Sequence, residues 1–348
     1  MRWRTAVRTY VFPLLVLFVV AVPAGAERRH AAKLPKAPAA CFSATLADAA
    51  TGTVATDDDF VYYGDNGSRA IFRVAKTGGT PQRLASFPCC HSELMILDAN
   101  NVYVAVHPIG DAIHTPNDFF IYTIYSIAKD GSGIRMVADG VWLPKQLALA
   151  DGYLYWVSLG TVVQDPHFAS DGKVERADKD GLRETLASGL SGPTSVALDD
   201  QWIYFNETGL AIGNSSTGVR RIPKNGGSVQ RLYNQVVDRI VLNGDDLYTL
   251  NGDLDSGKTK IVQGVKTGGT VKHTFTDLLV INSPMTIFDG RLYYYAQTPA
   301  AFAIASTNLD LQGRILHLER YFNAQQFAID GCAFYISTTD QEVERVVR

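Results

Sequence analysis

The side chains best suited to chemistry in this sequence are histidines grouped with acids and cysteines. Three polar segments carry most of them: SFPCCHSEL, VHPIGDAIHTPNDFF and VVQDPHFASDG. Imidazole and carboxylate groups from neighbouring loops can hold Zn²⁺, Mn²⁺ or Fe²⁺. The candidate metal ligands are His91, His107, His114 and His167. Their spacing matches no compact metal motif, so the alternative is that long polar loops simply contain histidine, and the sequence requires no cofactor.

The dipeptide Cys89–Cys90 directly precedes the first of these histidines. A disulfide between these two neighbours would stiffen the loop beside the candidate site. The alternatives are that one of them pairs with Cys41 or Cys332, or that both are buried thiols. A bond between the neighbours excludes a bond from either of them to another cysteine.

Other polar and aromatic residues are candidates for ligand binding rather than catalysis. Trp142, shortly before Pro144, offers a stacking surface, and Asn206, Glu207 and Asp253 offer hydrogen bonds. Taken singly, each is also explained by the solvation of a loop. The sequence contains no nucleophile elbow, no phosphate-binding glycine loop and no pair of glutamates at a recognisable spacing. These features favour binding over catalysis.

A repeat organises the chain around these candidates. A tyrosine recurs at intervals of 41 to 52 residues: Tyr62, Tyr103, Tyr155, Tyr204, Tyr248, Tyr293 and Tyr335. In each unit a short apolar strand, a turn with Asp, Asn or Gly, the strand with the tyrosine and a variable loop follow one another. A third strand, a Lys-x-Gly turn and a fourth strand complete most units. The pattern predicts a tyrosine buried between sheets and a lysine solvated in its turn.

A period of this length, with four antiparallel strands per unit, predicts an all-β fold: a seven-bladed β-propeller of four-stranded antiparallel blades. The seventh unit ends without a fourth strand, and the segment CFSATLA before the first unit could supply it. Cys41 and Cys332 would then share the last blade. A disulfide between them would pin the closed ring.

The unit LYW…GKVERADKDGLRETLASGLSGPTSVALDD resembles the YWTD repeats of low-density-lipoprotein-receptor propellers. It is also similar to repeats of secreted bacterial propeller proteins. The resemblance covers Thr51 to Arg348, and Tyr62 to Asp65 match the family pattern best. It implies a domain that binds proteins without catalysis. Because receptor domains of this type usually have six blades, six is the alternative to seven.

The N-terminal residues predict export. A basic start with Arg2, Arg4 and Arg8, the apolar run VFPLLVLFVVAV and the small residues up to Ala26 are the three parts of a signal peptide. We expect a signal peptide over residues 1–26, a flexible leader over 27–40 and a single propeller domain over 41–348. A run of twelve residues is too short to span a bilayer, although an uncleaved anchor is the alternative. The mature chain is then secreted, periplasmic or in the cell envelope, without a transmembrane span.

Charge excludes one class of partner. The formal net charge is −3 and becomes −6 (−3 − 3) once the three N-terminal arginines are removed. Proteins that bind nucleic acid carry a basic surface, so no nucleic-acid partner is expected. We expect a monomer.

The loops that join strands two and three, and those that join one blade to the next, share one face of a propeller. The loops between strands two and three are longest in the second and third units, and His107, His114 and His167 fall there, with His91 in the neighbouring loop between blades. Insertions confined to one face often mark the binding face. The sequence therefore predicts an exported, non-catalytic propeller that binds a protein or a glycan through this face. The alternative is a metal-dependent lyase or hydrolase with a histidine-rich site there, and a third possibility is a structural protein of the envelope.

Overall fold

The structure is a computed structural model of the chain. It describes residues 42–48, 51–110, 113–115, 117–164, 167–253, 258–278, 283–298, 302–320, 326–337 and 342–348. The predicted signal peptide, the leader and Cys41 lie outside the described residues. In the described part of the chain, no helix has the length and apolar character needed to cross a membrane.

The described strands form a seven-bladed β-propeller, and the six-bladed alternative is wrong. Each blade is a four-stranded antiparallel sheet. The strands of the first three blades are β2 (Thr51–Thr56), β3 (Phe60–Asp65), β4 (Ala70–Ala75) and β5 (Gln82–Ser86) in blade 1, β6 (Cys90–Leu97), β7 (Asn101–Pro108), β8 (Ile121–Ala128) and β9 (Ile134–Trp142) in blade 2, and β10 (Pro144–Ala150), β11 (Tyr153–Ser158), β14 (Gly172–Asp178) and β15 (Arg183–Leu190) in blade 3.

The remaining blades follow the same order. Their strands are β16 (Val196–Leu198), β17 (Trp202–Thr208), β18 (Thr217–Pro223) and β19 (Gln230–Tyr233) in blade 4, β20 (Arg239–Asn243), β21 (Asp246–Asp253), β22 (Lys258–Val265) and β23 (Val271–Leu278) in blade 5, β24 (Met285–Phe288), β25 (Arg291–Gln297), β26 (Phe302–Asn308) and β27 (Ile315–Arg320) in blade 6, and β28 (Gln326–Ile329), β29 (Ala333–Ser337), β30 (Glu342–Val347) and β1 (Ala44–Asp48) in blade 7. In every blade the strand written first is the inner strand, and inner strands of successive blades contact each other around the axis.

Burial between blades explains the recurrent tyrosines. One four-stranded sheet cannot cover both its faces, so each blade packs on its neighbours. Tyr62, Tyr155, Tyr204, Tyr248, Tyr293 and Tyr335 are all at most 1% exposed. The prediction that the repeated tyrosine is a core residue is confirmed at these positions.

The ring closes by pairing the two ends of the described chain. Strand β1 is antiparallel to β30 and forms the outer strand of blade 7, so the prediction that the CFSATLA segment completes the last blade is confirmed. Arg345, which is 4% exposed, fixes this seam because its Nε donates to the Phe42 carbonyl at 2.7 Å. Its guanidinium also stacks on the Phe42 ring at 3.8 Å.

The two faces of the propeller carry different loops. The upper face carries the loops between the second and third strands of each blade and the loops that join blades. There, blade 2 carries a short 3-10 turn over Asp118–Phe120, and blade 3 carries a hairpin of β12 (Val162–Gln164) and β13 (His167–Phe168). The lower face carries the tight turns between first and second strands and between third and fourth strands.

The lower face contains a repeated polar contact that we call the latch. In blade 1, Asp57 accepts a hydrogen bond from the Tyr62 hydroxyl at 2.8 Å and an ion pair from Lys129 of blade 2 at 2.8 Å. An aspartate, a tyrosine five residues later and a lysine from the next blade thus form one unit. The same unit recurs as Asp199, Tyr204 and Lys266, and as Asp330, Tyr335 and Lys76.

The latch corrects the expectation that the Lys-x-Gly lysines are solvated turn residues. Lys76, Lys129 and Lys266 pair with a carboxylate of the preceding blade, and their side chains are only 13 to 23% exposed. Lys179 alone fits the expectation, since its side chain is 81% exposed and contacts only neighbouring Asp180 among the described residues. The sequence did not reveal the latch because each lysine meets its aspartate in a different repeat.

Candidate functional site at the upper channel mouth

A carboxylate at the upper end of blade 2 organises the candidate site. The Oε1 of Glu93 lies 3.0 Å from Nε2 of His107, and its Oε2 accepts a hydrogen bond from the Tyr122 hydroxyl at 2.5 Å. His107 and Tyr122 are 3% and 1% exposed. Burial, followed by the charge of Glu93, raises the pKa of the Tyr122 hydroxyl, so this group remains a hydrogen-bond donor.

A β-bulge places Glu93. The pairing of β6 with β7 shifts register between Ser92 and Leu94, so Glu93 has no partner in the ladder. A bulged residue can direct its side chain away from the regular alternation of a strand. Here it brings the carboxylate to His107 and Tyr122, which lie on the second and third strands of the same blade.

Two cations lie near this carboxylate. Lys145 is the bulged residue of the next inner strand, β10, because the pairing shifts register between Pro144 and Gln146. Burial lowers the pKa of the Lys145 ammonium, the charge of Glu93 opposes this shift, and the charge of Arg239 adds to it. The three charges are therefore close enough to act on one another, at the start of three inner strands.

Arg239 is the more deeply buried of the two cations. It is 2% exposed, and its Nη1 donates to the carbonyls of Thr194 and Asp238 at 2.8 and 3.1 Å. Burial lowers the pKa of its guanidinium to about 10, although the charge of Asp238 opposes the shift. Its Nε has no hydrogen-bond partner among the described residues. Two cations, Lys145 and Arg239, thus lie beside the carboxylates of Glu93 and Asp238 at the upper end of the channel.

The vicinal cysteines form the rim of this region. The structure joins Cys89 to Cys90 by a disulfide. The next residue, His91, is half-buried and pairs in register with His107, with their ring centroids 5.9 Å apart. Burial, then the charges of His107 and Arg69, lower the pKa of His91, against the opposing charge of Glu93. Cys332 is also disulfide-bonded. The predicted pairing with Cys41 falls outside the described residues.

Of the three candidate metal ligands whose side chains are described, the structure brings two together, His91 and His107. His114 is exposed, and its backbone N–H donates to the Asp118 carboxylate at 2.7 Å. The side chain of His167 lies outside the described residues, as does that of Asp253. Within the described ranges, no group of three or more His, Cys, Asp or Glu side chains is arranged to hold a metal ion.

Asn206 and Glu207 are internal rather than exposed to a ligand. Asn206 is fully buried, and its amide oxygen accepts from the backbone N–H groups of Thr194 and Ser195 at 2.9 and 2.8 Å. Glu207 is 3% exposed and forms an ion pair with Arg220. Both side chains hold the loop that leads into β16, so the structure assigns them a structural position.

Trp142 ends β9 and is partly buried. It borders a cavity of about 30 Å³ together with Ser158, Glu175 and Arg183. This volume suits a water molecule rather than a ligand. The neighbouring Glu175 is 1% exposed and accepts a hydrogen bond from Nε1 of Trp156 at 3.1 Å. Trp142 is therefore part of a packed region between β9 and β14.

An apolar surface lies on the upper face of blades 3 and 4. The hairpin β12–β13 is joined to the loop of blade 4 by a β-bridge between Phe168 and Ala211 and by a hydrogen bond from Ile212 N–H to the Phe168 carbonyl at 2.8 Å. We call the three exposed side chains of this joined region the upper apolar patch. They are Val163 at 59%, Ile212 at 51% and Leu210 at 47% exposure.

Sequence reasoning missed Tyr122, Lys145 and Arg239, and it saw Glu93 only as one residue of a polar loop. Aligning the repeats on their tyrosines would have shown that Glu93 and Lys145 occupy equivalent positions. Glu93 and Lys145 both stand five residues before the first turn of their unit, where a strand that lines a channel would carry them. Their bulges had no signature in the sequence.

Comparison with known proteins shows the fold alone. No protein-family model matches the chain, and no curated protein matches it in sequence. Virginiamycin B lyase from Staphylococcus aureus is similar in structure with a TM-score of 0.60 at 13% identity, over 88% of this chain and 98% of the lyase. YCF48, in a structure with the D1 peptide, has a TM-score of 0.58 at 9% identity, over 97% and 99% of the two chains.

A third similar structure is BamB from Moraxella catarrhalis, with a TM-score of 0.50 at 14% identity, over 86% of this chain and 85% of BamB. These neighbours are β-propellers, one named as a lyase and another bound to a peptide. The chain therefore shares its architecture with proteins of more than one function. The likeness to YWTD repeats remains a resemblance of the sequence.

Proposed function

We propose that this chain is an exported binding propeller whose upper face binds a protein partner without covalent chemistry. The observation that carries the proposal is the upper apolar patch, Val163, Leu210 and Ile212. These side chains are about half exposed or more, and they stand on two loops that are bridged to each other. Exposed apolar side chains grouped on one part of a surface often mark a protein interaction site.

The cations of the channel mouth support an acidic group on the partner. Lys145 and Arg239 have lowered pKa values because they are buried, so a carboxylate that reached them would be favoured electrostatically. Glu93 acts on Lys145 and Asp238 acts on Arg239, but the pKa values of both cations remain lowered, so neither carboxylate fully offsets the cost of burial. The partner is therefore an apolar segment that also carries an acidic residue.

The contacts of His107 support binding over metal chemistry. Its Nε2 faces Glu93 at 3.0 Å, and its Nδ1 faces the Pro108 carbonyl at 3.1 Å. Both ring nitrogens therefore already face protein oxygens, so a metal would have to displace one of these contacts.

One structural neighbour, YCF48, was observed with a bound peptide, which agrees with protein binding by a propeller of this architecture. At 9% identity, the agreement concerns the fold and not the residues. Export is part of the proposal and rests on the N-terminal segment.

The test is affinity capture with a matched pair of variants. The exported protein is used as bait on the envelope fraction of its own cells, beside a variant with Val163→Ser, Leu210→Ser and Ile212→Ser. The control variant carries Ile134→Ser, Met136→Ser and Leu182→Ser, which are at least as exposed and lie away from the upper face. Captured proteins are then purified and their Kd values are measured.

We expect a partner that the wild type and the control variant bind alike and that the upper-patch variant binds at least about tenfold more weakly. The proposal fails if no purified protein binds, or if the upper-patch variant binds equally well. Saturable binding to a glycan in place of a protein would also reject it. A stoichiometric divalent metal that is lost on replacing His91, His107, His114 and His167 by Ala would support the lyase or hydrolase alternative instead.

A further inference from the structure

Blade 3 departs from the latch on the lower face. The position five residues before its tyrosine, Tyr155, holds Ala150 instead of an aspartate. Asp151 follows in a left-handed conformation with φ of 52°, and its Oδ2 accepts from Lys224 of blade 4 at 2.6 Å. The Tyr155 hydroxyl is hydrogen-bonded to Arg176. One carboxylate thus no longer bridges the tyrosine and the lysine.

A cavity of about 550 Å³ lies at this place, between blades 3 and 4. The volume falls within the range of small-molecule sites. The lining residues that matter here are Tyr153, Tyr155, Arg176, Trp202, Lys224 and Asp151. Three aromatic rings, two cations and two carboxylates, those of Asp151 and Asp200, thus line one space.

The two charges of the lysine–aspartate pair are held very differently. Lys224 is 6% exposed, whereas the side chain of Asp151 is 60% exposed on its turn. The cation is enclosed by the fold, and its acidic partner faces solvent. A ligand carboxylate can therefore replace the exposed aspartate at a cation that is already in place.

Arg176 is a second fixed cation in the wall. Its Nη1 donates to the Lys224 carbonyl at 2.9 Å, and its guanidinium stacks on the Tyr153 ring at 4.4 Å. Burial lowers the pKa of this guanidinium, but hydrogen bonds with Tyr155 and Glu184 outweigh burial and raise it overall. The group is charged at any pH at which the protein folds, and its planar fork suits a carboxylate.

Blade 6 shows what fills the same position when the latch aspartate is absent. There Phe288 stands five residues before Tyr293, and Asp289 follows with φ of 49°. Arg348 of blade 7 reaches Asp289 at 2.8 Å and lies 5.4 Å from the centre of the Phe288 ring. The shifted aspartate is therefore the same in both blades, but blade 6 has an aromatic residue, Phe288, at the repeat position where blade 3 has Ala150.

We propose that the cavity between blades 3 and 4 binds a small ligand that carries a carboxylate on a sugar-sized ring, such as a hexuronate. The ligand carboxylate lies between Tyr155 and Lys224, where blades 1, 4 and 7 have their own aspartate, and Arg176 supplies the second cationic contact. The ring lies against Tyr153 and Trp202. This site is on the face opposite to the proposed protein-binding surface and does not depend on it.

The test measures binding of D-glucuronate to the full exported chain by calorimetry and by ligand-observed NMR. D-glucose, which has a similar ring without the carboxylate, is the matched ligand control. We expect saturable binding of glucuronate and at least about tenfold weaker binding of glucose, because glucose has no carboxylate to meet Lys224 and Arg176.

Two substitutions at one position make the test specific. Ala150→Asp recreates the aspartate of the regular latch, and Ala150→Phe recreates the residue of blade 6. Both are expected to weaken glucuronate binding at least about tenfold, and Ala150→Asp is expected to raise the thermal midpoint as well. Lys266→Met removes a latch lysine that does not line this cavity. That variant controls for general loosening of the lower face and should keep its affinity for glucuronate.

The proposal is overturned if glucuronate shows no saturable binding, if glucose binds equally well, or if a folded Ala150 variant keeps full affinity. Should one Ala150 variant fail to fold, the other carries the same comparison. The outcome of this test is independent of the upper apolar patch, whose own test uses other residues and a protein partner.

Discussion

Glu93 and Lys145 occupy the same position in adjacent blades, and they carry opposite charges. Each is the single bulged residue of its inner strand, one in β6 and the other in β10. The charge of Glu93 acts on the Lys145 ammonium, and Arg239 opposes it. An irregularity repeated in two neighbouring repeats thus builds a polar centre at the mouth of an otherwise regular ring.

The substitution Glu93→Gln tests how much this polar centre contributes to the free energy of unfolding. The carboxylate is a partner of His107 and Tyr122 and the main counter-charge of Lys145. Removing one member of a buried charged group leaves the others uncompensated, so we expect a loss of roughly 3 kcal/mol in the free energy of unfolding. Urea unfolding measures it.

The matched control is Glu184→Gln, since Glu184 also forms an ion pair, with Arg176 at 2.7 Å, but its side chain is 51% exposed. Exposed pairs contribute about 1 kcal/mol or less. Equal losses in the two variants would show that the Glu93 contacts do not stabilise the fold more than a surface pair does.

The latch predicts different effects for two lysines at equivalent positions. Lys129 is 13% exposed and pairs with Asp57, whereas Lys179 is 81% exposed and contacts only Asp180 in the described part of the chain. We expect Lys129→Met to cost about 1–3 kcal/mol of unfolding free energy and Lys179→Met less than about 0.5 kcal/mol. A comparison of the two midpoints in urea decides whether the contact between blades is stabilising.

The latch also predicts a loss of stability in acid. Burial works to raise the pKa of Asp330, but the hydrogen bond from Lys76 and those from the backbone of Cys332 and Ala333 outweigh it, so the pKa lies below its ordinary value of 3.8. Asp57 and Asp199 are also lowered in pKa, against burial, by hydrogen bonds from Lys129 and from backbone N–H groups respectively. The unfolded chain therefore binds protons more readily at these three residues.

It follows that their contribution is fully present above about pH 4 and is lost as the pH falls through the lowered pKa values of the folded state. Urea unfolding at a series of pH values measures this loss. In Lys76→Met the pKa of Asp330 returns toward its ordinary value, so the decline should be shallower. An unchanged pH dependence in that variant would argue against the assigned cause.

The vicinal disulfide should affect the stability of the whole chain very little. Cys89 and Cys90 are adjacent in sequence, so their bond closes almost no loop in the unfolded chain. The double variant Cys89→Ser, Cys90→Ser should unfold within about 1 kcal/mol of the wild type. Calorimetry checks the midpoint, and peptide mass mapping of the wild type checks the bond itself. A large loss would mean that the loop before β6 depends on this bond.

Much of the fold could be predicted from the sequence because the signals for the strands lie within each repeat. Alternating apolar residues, Asp or Gly turns and the recurrent tyrosine are local signals, and the count of seven follows from them. Closure by the N-terminal strand was also predicted, since the last unit lacked one strand and a strand-like segment preceded the first.

The polar contacts of the latch were much less predictable, because they join different repeats. Lys76 meets Asp330 across 254 positions and Lys129 meets Asp57 across 72, so no local pattern connects them. Asn206 and Glu207 look like loop residues by type, yet both side chains are buried, where their oxygens accept hydrogen bonds from backbone N–H groups. The bulge at Lys145 is likewise invisible until the register of its strand is known.

The seam between β1 and β30 has a consequence for the order of events during synthesis. Phe42 and Arg345 are 303 positions apart, so β1 cannot pair until β30 has been synthesised. Until then the growing chain exposes unpaired strand edges, which favour aggregation. Synthesis of β30, rather than the folding of any one blade, is therefore the event that allows the described blades to close into a ring.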